Sequence, residues 1–177
     1  MDFEKGLVIL YTGEGKGKTT AALGLVLRAS GYNKKCLIVQ FGKIWFTGEL
    51  AAVKKLSPYV KIIRGGRGFL GILGNKVSKA EHKKVAEKTF NILYREVISG
   101  KWDIAIADEI VGAIYSGLLS PSRVEKLITN KPKGLDLVLT GHHASKKLIQ
   151  MADLVTEMRE VKHPYQKGLL AKKGIDF

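Results

Sequence analysis

The sequence predicts an α/β fold, a mostly parallel sheet with helices on both of its faces. Three observations carry that expectation. Short, almost wholly apolar runs alternate with longer helical stretches, and strands apolar on both sides belong in a sheet covered on both faces. The first run, Leu7-Val8-Ile9-Leu10-Tyr11, feeds directly into the glycine-rich turn Thr12-Gly13-Glu14-Gly15-Lys16-Gly17-Lys18-Thr19-Thr20 ahead of a helix. Polar or glycine-rich segments follow the later apolar runs as well, and ligands in such sheets bind beyond the carboxyl ends of the strands.

Residues 7–12 form the first strand. Residues 19–30 are rich in alanine and leucine and are stopped by Gly31, which reads as a helix. Residues 35–41 are an apolar second strand, and 48–56 a helix that ends before Ser57-Pro58. Residues 60–64 make a short third strand. The stretch 65–74 is too glycine-rich for helix or strand and is expected to be a mobile loop. Ser78-Lys79-Ala80-Glu81 has the spacing of a capping box and opens a helix that runs to about Ser99. Residues 102–107 are a strand, and Ser120-Pro121 starts a helix with serine as cap and proline in the first turn. Residues 135–140 are a strand, 145–151 a helix and 154–158 a short last strand. The tail, 162–177, lacks periodicity and reads as a C-terminal arm or lid. No linker or internal repeat divides the chain, and 177 residues suffice for one full core, so residues 1–177 are expected to form a single domain.

The net charge of +14 suits polyanionic ligands such as a nucleoside triphosphate, or an acidic protein partner. Nucleic acid is not the expected partner, because the lysine pairs at 54–55, 83–84, 146–147 and 172–173 are scattered and no aromatic-interleaved binding signature accompanies them. No apolar run approaches the roughly 18–20 residues that span a bilayer, and Met1-Asp2-Phe3-Glu4-Lys5 lacks a signal-peptide layout. A single cysteine, Cys36, cannot form an internal disulfide and reads as a small core residue. A cytoplasmic protein with no membrane contact is the expectation.

The turn at residues 12–20 is a phosphate cradle, in which glycines let successive backbone N–H groups face phosphate oxygens and the next helix adds its positive end. Lys18 would reach the phosphates and the Thr19 hydroxyl would ligate Mg²⁺, with Mn²⁺ as the alternative. The turn departs from the usual G-x-x-x-x-G-K-[ST] pattern: its first glycine is Gly13, one residue late, and it carries an extra lysine, Lys16. Such a strand, loop and helix point to the P-loop NTPase or RecA-like class of sheet. Asp108-Glu109 ends a strand, where an acidic pair facing such a loop holds Mg²⁺ directly or through water. Which of the two touches the ion is open, and Glu109 could instead only favour the start of the following helix. His142-His143 are adjacent and so do not converge on a zinc ion; they read as polar lining of the site. Phe41, Trp45, Phe46 and Phe69 are aromatics in ligand-side loops, which is either packing or a wall for a flat second ligand.

These residues together resemble the ATP:corrinoid adenosyltransferases of the bacterial cobalamin-biosynthesis type. The family loop T-G-x-G-K-G-K-T-T-A-A is followed by residues 12–22. The resemblance continues through Val39-Gln40-Phe41, Thr47-Gly48-Glu49, Gly66-Arg67-Gly68-Phe69, Asp108-Glu109-Ile110 and Val138-Leu139-Thr140-Gly141. Its most specific stretch is Ala152-Asp153-Leu154-Val155-Thr156-Glu157-Met158-Arg159, then Val161-Lys162-His163-Pro164, with Gly174-Ile175-Asp176-Phe177 at the end. Two positions depart from the family pattern. Gly71 stands where the family has the tryptophan of G-F-T-W, and His142 where it has the arginine of T-G-R.

The resemblance implies transfer of the 5′-deoxyadenosyl group of ATP to the cobalt of a reduced Co(I) corrinoid, with release of triphosphate. It implies a nucleotide site at Gly13, Glu14, Gly15, Lys16, Gly17, Lys18, Thr19 and Thr20, with Trp45, Glu49, Phe69 and His142 completing the ligand set. Thr19, Asp108 and Glu109 are the implied metal residues. Lys18 is the implied catalytic cation, and Phe69 the group that crowds the lower face of the corrinoid, with Trp45 a substitute for the missing tryptophan. An acidic electron donor such as a flavodoxin-like flavoprotein and a homodimer are implied as well. Two other readings are open on the residues: a P-loop ATPase or kinase that cleaves the terminal phosphate, and a non-catalytic nucleotide- or nucleic-acid-binding module.

Overall fold

The computed structural model of the chain describes residues 5–68 and 77–177. Strands and helices alternate in the order β1 (Val8–Thr12), α1 (Lys18–Ser30), β2 (Cys36–Phe41), α2 (Gly48–Lys55), β3 (Val60–Gly65), α3 (Lys79–Ile98), β4 (Ile104–Asp108), α4 (Ile110–Tyr115), α5 (Pro121–Asn130), β5 (Asp136–Thr140), α6 (Lys146–Met151) and β6 (Leu154–Glu157). The six strands form one sheet in the order β3-β2-β4-β5-β1-β6. Every neighbouring pair is parallel, so the sheet is wholly rather than mostly parallel. β1, which carries the glycine-rich turn, lies between β5 and β6.

The two-residue period of a strand sorts the apolar side chains onto two faces. Val8, Leu10, Leu37, Val39, Ala105, Ala107, Leu137 and Leu139 pack with Phe90, Leu93 and Val97 of α3, Ile110 of α4, and Val124 and Leu127 of α5. The alternate residues Ile9, Cys36, Ile38, Ile106 and Val138 pack with Ala22, Val26 and Ala29 of α1 and Val53 of α2. Cys36 is buried there, and burial, with a smaller contribution from the Asp103 charge, pushes its thiol up to about 11. It is therefore an inert core residue.

Local signals placed the longer helices correctly. At the start of α3, Ser78 Oγ accepts from the Glu81 N–H at 3.3 Å, and Glu81 Oε2 accepts from the Ser78 N–H at 3.3 Å, which completes the capping box. At α5, Pro121 begins the helix as expected, but the Ser120 hydroxyl meets Ser122 Oγ at 2.8 Å instead of capping the backbone. α4 is the helix that follows Glu109, which the sequence expectation mentioned without giving it bounds. It is six residues long, contains Gly112 and two β-branched types, and has no side-chain cap, so it carries no local helix signal. In the tail, Pro164–Lys167 forms a single 3-10 turn, with His163 Nδ1 accepting from the Tyr165 N–H at 3.2 Å. Of the glycine-rich stretch, Gly65 closes β3 and Gly66, Arg67 and Gly68 follow it. Phe69, Gly71 and the expected mobility of this loop lie outside the described residues.

Candidate active site

The turn between β1 and α1 is closed from behind by the end of β6. The Gly15 N–H donates to Met158 O at 2.7 Å, and the Met158 N–H donates to Thr12 O at 2.8 Å. Gly13 sits at φ 97°, and a Cβ there would lie 2.4 Å from Met158 O. A Cβ on Gly15 would lie 2.7 Å from the carbonyl carbon of Arg159. Both glycines are thus required by the close approach of two backbones. The stretch Ala152–Arg159, the most specific part of the resemblance, contributes the backing of the glycine-rich turn through its last two residues.

Lys18 is 5% exposed and donates to Gly13 O at 2.6 Å and Gly15 O at 2.7 Å. An ammonium has three N–H bonds, so one is left for a ligand oxygen. Burial lowers the Lys18 pKa, and the charges of Glu109 and Glu14 work against that shift. Helix α1 starts with no side-chain cap and no acidic residue in its first turn, which leaves its N–H groups to an anion. Lys16, on the rim of the loop, is ion-paired with Asp176 of the C-terminal arm.

Asp108 is 1% exposed and is the hub of the site. Its Oδ1 accepts from Thr19 Oγ1 at 2.8 Å and from Thr140 Oγ1 at 2.8 Å. Its Oδ2 lies 2.9 Å from Lys43 Nζ and accepts from Gln40 Nε2 at 3.2 Å. Glu49 joins from the first turn of α2, with Oε1 accepting from the same Gln40 Nε2 at 3.2 Å. Burial pushes the Glu49 pKa up, but hydrogen bonds and the Lys43 charge outweigh it, and the net shift is downward. Glu109 follows in a left-handed conformation at φ 62°, its N–H donating to Thr140 Oγ1 at 2.9 Å. Burial, then the Asp108 charge, raises its pKa, while Lys18 and Lys43 oppose the rise.

The donor set suits a hard divalent cation. Thr19 gives its proton to Asp108, which leaves its oxygen lone pairs for a metal, and the Asp108 and Glu49 carboxylates beside it are hard oxygen donors, shared with the Lys43 ammonium and the Gln40 amide. Gln40 Oε1, in the same cluster, is buried without a hydrogen-bond partner among the described residues. No group of three His, Cys, Asp or Glu side chains among the described residues is arranged to hold a metal.

Two cavities open at this end of the sheet. The first, about 880 Å³, is lined by residues 14–20 of the loop, by Lys43, Trp45, Phe46, Thr47, Gly48 and Glu49, and by Ala171 and Gly174 to Phe177 of the arm. The second, about 380 Å³, is largely apolar. It is walled by Phe41 and Gly65 to Gly68, by His82, Val85 and Ala86 of α3, and by Ala113, Tyr115 and Leu118. Glu109 and His142 line both cavities. His142 Nδ1 and His143 Nδ1 lie 3.4 and 3.2 Å from the Glu14 carboxylate, and the His143 ring stacks on Tyr115 at 4.0 Å. Burial lowers the His142 pKa, and Lys18 lowers it further.

Lys16, Lys18, Thr19, Thr20, Glu14, Trp45, Glu49, Glu109 and His142 therefore border one cavity, with Asp108 buried beneath it. Trp45 stands in the loop cavity; Gly65 to Gly68, which lead toward Phe69, wall the other. Sequence reasoning missed Gln40, Lys43 and Thr140 as members of the Asp108 network. Gln40 and Thr140 stand in stretches that carry the resemblance, while Lys43 had only its position just beyond β2 as a signal.

Comparison with known proteins is consistent with this geometry. A profile of the ATP:corrinoid adenosyltransferase family BtuR/CobO/CobP matches residues 4–177. A corrinoid adenosyltransferase of Sinorhizobium sp. is 33% identical over 98% of this chain and 81% of its own length. Another from Escherichia coli strain K12 is 30% identical over 98% of this chain and 87% of its own. Among solved structures, a KaiC-like protein of Pyrococcus horikoshii OT3 superposes with a TM-score of 0.60 at 18% identity, covering 97% of this chain and 76% of that one, a likeness of fold.

Proposed function

The chain belongs to the ATP:corrinoid adenosyltransferase family, and we propose how its two cavities share that reaction. The enzyme transfers the 5′-deoxyadenosyl group of ATP to a corrinoid in cobalamin biosynthesis. Cobalt(I) attacks the ribose C5′, the C5′–O bond breaks, and its electron pair leaves with triphosphate. The corrinoid carries the hard chemistry, so the protein's part is positioning and electrostatics.

The cavity over the glycine-rich turn takes the triphosphate, and the largely apolar cavity takes the corrinoid side of the reaction. The observation that carries this reading is that Glu109 and His142 border both, so the two meet at one point. Lys18, the loop N–H groups and the start of α1 stabilise the charge that builds on the leaving triphosphate, and Lys16 adds to it from the rim. Thr19, oriented by Asp108, would hold Mg²⁺ or Mn²⁺ with Glu109 beside it, and the ion would supply further charge neutralisation of the phosphates. Glu49 acts on this site through Gln40 and Lys43, Trp45 walls the nucleotide, and Phe69 crowds the lower corrinoid face. His142, at the position of the family arginine, lines the meeting point of the two cavities with Glu14 beside it.

The same reading takes residues 1–177 as one adenosyltransferase domain with 162–177 as its arm. The exposed apolar residues Leu154 and Val155 on the edge strand β6 support a homodimer. The +14 charge supports docking of an acidic flavodoxin-like electron donor. No described helix is long and apolar enough to cross a membrane, which fits a cytoplasmic enzyme. Incubation of cob(I)alamin with ATP and Mg²⁺ tests the reading. Adenosylcobalamin and triphosphate are the expected products, and ADP or phosphate alone would overturn it.

A further inference from the structure

We infer that Lys43 is a positioning residue that gates the divalent cation: its ammonium holds the Asp108 and Glu49 carboxylates until a metal arrives together with nucleotide. This rests on the reading of Thr19 and Asp108 as the metal's end of the loop cavity. Lys43 stands just beyond β2, its side chain only 17% exposed, with Nζ 2.9 Å from Asp108 Oδ2 and 3.8 Å from Glu49 Oε1. These are the same two oxygens that take Gln40 Nε2. The ammonium thus sits where carboxylates from β4 and α2 converge. Beside it the Gln40 amide, fully buried, leaves Oε1 with no hydrogen-bond partner among the described residues, one more hard acceptor than the network uses.

A bare divalent ion entering this cluster must displace an ammonium already held by two carboxylates. An ion that enters with triphosphate meets a different balance. Lys43 lines the same cavity as Lys18 and Thr19, so phosphate oxygens offer its ammonium a new partner as it leaves the carboxylates. Metal and nucleotide binding are then coupled, and by linkage each strengthens the other. Free metal alone is held weakly, which keeps the carboxylates available for the ion that accompanies ATP.

Mn²⁺ alone, without nucleotide, is titrated into the full-length wild type and the Lys43→Met, Lys43→Arg and Thr19→Val variants, with free Mn²⁺ read by electron paramagnetic resonance. Removing a unit charge this close to the carboxylates should tighten Mn²⁺ binding about tenfold or more in Lys43→Met. Lys43→Arg should stay near wild type. Unchanged affinity in Lys43→Met, with weaker binding in Thr19→Val, overturns the role of Lys43 and leaves the metal reading standing. Tightened binding that survives addition of Thr19→Val to Lys43→Met overturns both. If Lys43→Met does not fold, Lys43→Gln is melted with and without Mn²⁺. A larger Mn²⁺-induced rise in Tm than in wild type supports the gating role, and an equal rise overturns it.

Discussion

The two cavities that meet at Glu109 and His142 are built by opposite means. The loop cavity is made of charge and backbone: glycines at close approach, a buried lysine, and a carboxylate that receives four donors. The second is made of surface: Phe41, Val85, Ala86, Ala113 and Leu118 around a glycine backbone. Phosphate recognition needs a few donors fixed in place, and a short loop supplies most of them. A large flat ligand needs area, which only several distant elements together provide. Disruption should therefore act sharply and generally on the first cavity, and selectively on the second.

The largest effect belongs to the loop. Lys18→Ala should lower kcat/KM for ATP about a thousandfold or more, roughly 4 kcal/mol of transition-state stabilisation, whichever cobalt source is offered. Normal turnover by that variant in the cob(I)alamin assay would break the contrast. Next comes the hub beneath it. Asp108→Ala leaves Lys43, Gln40, Thr19 and Thr140 without their shared acceptor and should destabilise the fold by about 3–5 kcal/mol, read by denaturant unfolding. If Phe69 has the role that the resemblance implies, Phe69→Ala should slow adenosylation that starts from Co(II) by about tenfold, while the reaction of pre-reduced Co(I) changes little. Equal losses in the two assays would remove Phe69 from the lower face of the corrinoid.

The smallest effect sits at the junction. The Glu109 pKa is raised in the folded state, by burial first and the Asp108 charge second. Its contribution to stability is therefore fully present below its unfolded value near 4.5 and is lost as pH rises through the folded value. Glu109→Gln should flatten the stability curve across that window and leave the ligand-free protein slightly more stable at neutral pH. Unfolding midpoints across the acid-to-neutral range check this, and a variant curve parallel to wild type would contradict it.

Much of the first cavity was legible before the fold, because its information is local. Gly13, Lys18 and Thr19 lie within one turn of chain, and the apolar runs that end at Thr12 and Asp108 mark themselves as strands. Lys43 carried no such mark, since a lysine in a polar loop of a chain with 30 lysines and arginines looks like solvated surface. Helix α4 was given no bounds, because its six residues are held by packing of Ile110 and Val111 against the core and not by propensity or caps.

The sequence by itself determined an alternating α/β chain, a glycine-rich loop after the first strand, an acidic strand end and a family. Each of these follows from residues adjacent in the chain or repeated at a helical or strand period. Only the tertiary structure decided what Asp108 holds. Thr19 is 89 residues away, Gln40 68 and Thr140 32; Gln40 and Thr140 converge because β4 lies between β2 and β5, and Thr19 because α1 packs over β4. It also decided that Asp176 reaches Lys16, and that Met158 backs Gly13 through the pairing of β6 with β1. Hydrogen-bond partners at such separations are chosen by strand order, a property of the packed sheet as a whole.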